Sequence, residues 1–102
     1  MEVAEATLCE KVQIPKGQSL PTAAGRTRFL IAEVNDRRVE VVPHSTGKMR
    51  PIYCQEFERA EALGLAHADV TPSQLRQAGA SEGNPAYVAA IIRAVVRGMT
   101  PA

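Results

Sequence analysis

The side chains with the most chemistry to offer are two cysteines, two histidines and a run of bases, and only the bases form a pattern. Cys9, Cys54, His44 and His67 lie far apart, with no His, Cys or carboxylate at the short spacings from which a metal site is assembled. Cys54 and His44 offer a thiol and a base across a turn, but no third group is in place to orient the imidazole. With Tyr53 they make the whole case for an enzyme or a small-ligand pocket. Ser45-Thr46-Gly47-Lys48 has the ingredients of a phosphate cradle: hydroxyls, a flexible glycine and a lysine after a strand-like segment. It is not a P-loop, because Val42 stands where that motif needs its first glycine and Met49 where it needs Ser or Thr. The segment reads either as an anion-contacting loop or as a plain turn. The sequence implies no catalytic constellation, cofactor or metal ion, and the expectation is a protein that is not an enzyme.

Charge is unevenly distributed behind a net +1. Residues 1–10 carry three acids and no base, residues 11–50 carry eight bases against three acids, and residues 51–102 come to −1. If Arg26, Arg28, Arg37, Arg38, Lys48 and Arg50 share one face with Ser45 and Thr46, they form a surface that tracks phosphates with salt-dependent affinity. Against that, Glu33, Asp36 and Glu40 are interleaved among them, as on an ordinary solvated surface that mixes both signs.

These bases need a sheet to position them. Arg28 to Val34 and Arg38 to Val42 are rich in β-branched residues and are joined by a short polar connection through Asn35, Asp36 and Arg37, which predicts a hairpin. Met49 to Tyr53 follows as a short third strand, placed at an edge by Pro51, which has no N–H to donate. Thr7 to Ile14 alternates loosely and predicts a further strand. Pro15 to Gly25, punctuated by Pro15, Gly17, Pro21 and Gly25, reads as a loop.

The second half of the chain is helical. Gln55 to Leu63 places Phe57 and Ala60 at helical spacing and ends at Gly64. Thr71, Pro72 and Gln74 spell a capped helix start, and Gly79 stops that helix early. Asn84 and Pro85 open a longer helix whose apolar stripe includes Val88, Ile91, Ile92, Val95 and Met99. The last two helices invite comparison with a helix-turn-helix. A recognition helix presents polar side chains at its start, however, and Ala86 to Ala90 offer almost none. Tyr87, Val88, Ile91, Ile92, Val95 and Met99 read instead as a packing surface or an interface for a second copy or another protein.

The stretch from Ser45-Thr46-Gly47-Lys48-Met49-Arg50 through Phe57 to Asn84-Pro85-Ala86-Tyr87-Val88-Ala89-Ala90-Ile91 resembles small bacterial proteins carried on mobile, integron-type gene cassettes. The resemblance covers about half the chain. It brings no catalytic residues and implies a bacterial, cytosolic accessory protein. No apolar run reaches the ~18 to 20 residues that cross a bilayer, and two cysteines outside any CxxC pattern fit a reducing cytosol, with a disulfide between them the alternative.

A chain of 102 residues with 45% hydrophobic content supports one core and one domain. The expected fold is α+β: an antiparallel sheet of three or four strands followed by about three helices packed on one face. Two functions fit, a non-catalytic module binding nucleic acid or another polyanion through the basic hairpin and turn, and a self-association or protein-interaction module using the last helix.

Overall fold

A computed structural model describes residues 12, 14, 16–22, 25, 27–35, 37–81 and 83–99. Among these residues there are four strands and three helices, in the order β1 (Ser19–Pro21), β2 (Arg28–Val34), β3 (Arg38–Pro43), β4 (Arg50–Tyr53), α1 (Cys54–Ala62), α2 (Pro72–Gln77) and α3 (Pro85–Met99). The strands form one antiparallel sheet in the order β1-β2-β3-β4, and the α+β architecture expected from the sequence is the one observed.

Alternation along β2 and β3 decides which face is buried. Phe29 and Ile31 on β2, Val39 and Val41 on β3 and Ile52 on β4 have no exposed surface, and Ile31 pairs across with Val41 as Val39 does with Ile52. A bulge at Ala32 keeps this face continuous, because Ile31 opposes Val41 while Glu33 opposes Glu40. One extra residue resets the alternation, so that Val34 rejoins the inner face opposite Val39. The hairpin turn is held by Asn35, whose side-chain oxygen accepts from the Arg37 and Arg38 N–H groups at 2.8 and 3.0 Å.

The helices cover this face alone. Phe57, Leu75, Val88, Ile91 and Ile92 join the strand residues in a single core, and the Tyr87 ring meets the Phe29 ring edge-on at 5.2 Å. The helix boundaries follow the sequence signals. Thr71 Oγ1 accepts from the Gln74 N–H while Gln74 Oε1 accepts from the Thr71 N–H, a reciprocal cap. At the far ends, Gly64 and Gly79 take φ of +75° and +76°. Their positions let Leu65 N–H reach Ala60 O and Ala80 N–H reach Leu75 O, satisfying carbonyls that a helix end leaves open.

One expectation changes. The segment read as a loop holds β1, whose Leu20 lies opposite Phe29; a three-residue strand ending in proline has no periodicity of its own, and β2 supplies its hydrogen bonds. The strand expected over Thr7 to Ile14 falls mostly outside the described residues. Of those described, Val12 is buried and Ile14 packs on the core, neither within a strand. The apolar stripe of α3 packs inward. Val88, Ile91 and Ile92 are wholly buried and Val95 nearly so within the single chain, Tyr87 is half-buried, and the Met99 side chain lies outside the described residues. Of the two readings of this stripe, packing surface or interface, Val88, Ile91, Ile92 and Val95 serve the first: they join the inner face of the sheet in one core.

Cys54 is disulfide-bonded and no cysteine among the described residues is free. The chain's one other cysteine, Cys9, lies outside the described residues.

Candidate functional site

The meander distributes the bases between its two ends. Arg28 opens β2 beside the end of β3, since His44 N–H donates to Arg28 O at 3.0 Å. The exposed loop His44 to Met49 and Arg50 follow directly, so Arg28, Ser45, Thr46, Lys48 and Arg50 occupy one end of the sheet. Arg37 and Arg38 occupy the other, five residues of extended chain away or roughly 16 Å. Arg26 lies outside the described residues.

Faces divide them further. Arg28 projects from the outer face, where its guanidinium donates to Ser19 Oγ and Ser19 O, both at 3.1 Å. Arg50 pairs across with the buried Val41, so it sits on the helix side. There it lies 5.5 Å over the Tyr87 ring and donates to Gly83 O at 3.1 Å, which fixes its side chain without neutralising it. Arg38 is on the outer face but its Nε donates to Glu40 Oε1 at 2.9 Å, an ion pair. Among the described residues no ion pair engages Arg28, Lys48 or Arg50, and Pro43 to Arg50 contains no acid. Among the described residues the loop end thus gathers three bases outside any ion pair, while at the other end Arg38 is paired with Glu40 and Arg37 is not.

The loop itself is a tight turn. Pro43 O accepts from Gly47 N–H at 2.8 Å and from Thr46 N–H at 3.3 Å, Gly47 takes φ of +66°, and Thr46 Oγ1 accepts from Lys48 N–H. Ser45 and Lys48 are exposed on this hydrogen-bonded bend between two paired strands.

The outer face of the sheet carries Leu30, Val42 and Pro51 at its centre, half-buried. Leu30 and Val42 do not pack on the core, and no described helix covers them. Two acids share this face, Glu33 and Glu40, directly opposite one another. Each has its own cation, Lys16 at 3.3 Å for Glu33 and Arg38 for Glu40, which relieves a like-charge pair that otherwise opposes pairing. Tyr53 ends β4 opposite Arg38, with its side chain about half exposed at 52%.

Other chemistry disperses. His44 and Cys54 stand at opposite ends of the sheet, Cys54 N–H donating to Arg37 O, so the Cys54 sulfur and the His44 imidazole are not brought together. No group of three His, Cys, Asp or Glu side chains among the described residues is placed to hold a metal ion. One polar cluster was not legible in the sequence. Glu56 accepts from the buried Ser81 Oγ at 2.6 Å, from Tyr53 N–H at 3.3 Å and from Asn84 Nδ2 at 3.5 Å. It ties the start of α1 to the connection between α2 and α3. From sequence Glu56 carried only the signal of an acid in a first helical turn, and Ser81 carried none.

No family model, curated protein or solved structure matches the chain. The fold and surface define a small α+β protein built on an antiparallel meander, with helices on one face and a mixed apolar and basic surface on the other. No described helix is long and apolar enough to cross a membrane.

Proposed function

We propose that the protein is a small non-catalytic binding module that contacts nucleic acid or another polyanion through one end of its sheet. The observation that carries this reading is the loop end itself: Arg28, Lys48 and Arg50 bracket an acid-free turn bearing Ser45 and Thr46, and none of the three bases is engaged by a carboxylate among the described residues. Phosphate oxygens are the ligand such a surface suits, since guanidinium, ammonium, hydroxyl and backbone N–H groups all donate to them. Arg37 and Arg38 belong to the opposite end and extend the surface rather than completing the cluster. The alternative, a protein-interaction or self-association module using α3, is disfavoured by the burial of Val88, Ile91 and Ile92 within the single chain. The integron-cassette resemblance and an accessory role in a bacterium belong to this same proposal.

The test is fluorescence anisotropy of labelled DNA and RNA, single- and double-stranded, in low-salt buffer. Binding whose log affinity falls with log salt at a slope of about −2.7 on duplex DNA corresponds to three phosphate contacts. Arg28→Glu and Lys48→Glu weaken binding of every sequence alike, whereas Arg76→Glu on α2 does not. Absence of binding at micromolar protein overturns the reading.

A further inference from the structure

We infer that the surface selects single-stranded nucleic acid, with Tyr53 as the platform on which a base stacks. This rests on the polyanion reading and names the form of polyanion the geometry suits. The chain has two tyrosines, and the structure treats them oppositely. Tyr87 is half-buried, with the Phe29 ring at its edge and the Arg50 guanidinium over its face. Tyr53 is 52% exposed, and among the described residues neither a ring nor a cation packs on it. It lines an open cavity of about 520 Å³ with Arg37, Cys54, Gln55 and Glu58. Arg38 stands directly across from it on the same face of the sheet.

The outer face joins this ring to the basic loop. From Arg28 and Lys48 the surface runs over the half-buried Val42 and Pro51 to Arg38 and Tyr53. The acid along that route, Glu40, is neutralised by Arg38 and keeps only 18% of its side chain exposed. Among the described residues two acids stand near the ring: Glu58 at this cavity, and Glu56, which accepts from Tyr53 N–H and from Ser81 Oγ. A backbone anchored at Lys48 therefore reaches, roughly 16 Å on, an open aromatic face flanked by two guanidiniums. A base paired in a duplex cannot present its face to that ring, whereas an unpaired base can, and stacking of this kind tolerates any sequence.

The experiment compares a labelled oligothymidylate with a duplex of equal length, using wild type, Tyr53→Ala and Tyr53→Phe, each confirmed folded by its thermal transition. Wild type binds the single strand more tightly. Tyr53→Ala loses about 5- to 150-fold on the single strand and little on the duplex, and Tyr53→Phe, which keeps the ring, restores the preference. Tyrosine emission also falls on adding single strand to wild type and not to Tyr53→Ala. If wild type binds both forms equally, or Tyr53→Ala leaves single-strand affinity unchanged, the stacking role falls while binding sensitive to Lys48→Glu keeps the polyanion reading. If neither form binds, both fall.

Discussion

Truncating Ile92 to alanine separates a core role for α3 from an interface role more cleanly than any other single change. Ile92 has no exposed surface in the single chain and belongs to the cluster that joins α3 to the sheet. The substitution removes three carbons, worth about 2.4 kcal/mol as transfer at ~0.8 kcal/mol per buried methylene. A residual void in the core adds to this, placing the cost at about 2–5 kcal/mol. For a domain near this size that is a fall in Tm of roughly 10–25 °C. The assay is thermal unfolding by circular dichroism over a wide range of protein concentration. A core role gives the full fall at every concentration, with the same fall seen as a lower urea midpoint at unchanged slope. A fall of less than about 4 °C, or a wild-type Tm that climbs with concentration while the mutant's does not, refutes the assignment and returns Ile92 to an interface between copies.

Two further outcomes follow from polar contacts. Thr71→Ala removes the hydroxyl that accepts from Gln74 N–H and lowers stability by about 1 kcal/mol in urea unfolding, with Thr71→Ser retaining most of it. Glu56→Ala strands the hydroxyl of Ser81, which is only 2% exposed, and costs about 1–3 kcal/mol; the double variant Glu56→Ala with Ser81→Ala costs less than the two single changes together, because the second removes the unsatisfied group left by the first.

Much of the fold was legible because its signals are local. The hairpin, the edge position of Pro51 and the starts and stops of the helices are written in neighbouring residues. Thr71, Pro72, Gln74 and Gly79 mark α2 as the structure shows it, because caps and left-handed glycines act within one turn of chain. β1 was illegible for the complementary reason: Ser19 to Pro21 becomes a strand only through hydrogen bonds donated and accepted by β2, and nothing in three residues announces a partner. The Glu56–Ser81 contact spans 25 positions and has no local signature.

The same division holds for the candidate site. Sequence alone determined that the bases lie in the strand half, that residues 43–50 hold no acid, and that α3 has an apolar stripe, since composition and periodicity are properties of the chain in order. Only the tertiary structure decided what those features face. Pleating alternates side chains between two faces and strand reversal sends neighbours to opposite ends, so Arg28 and Arg38 share a face but not an end, while Arg28 and Arg50 share an end but not a face. The stripe on α3 is buried in one core with the inner face of its own sheet. That left Tyr53, at the rim where β4 gives way to α1, as the ring with an open side.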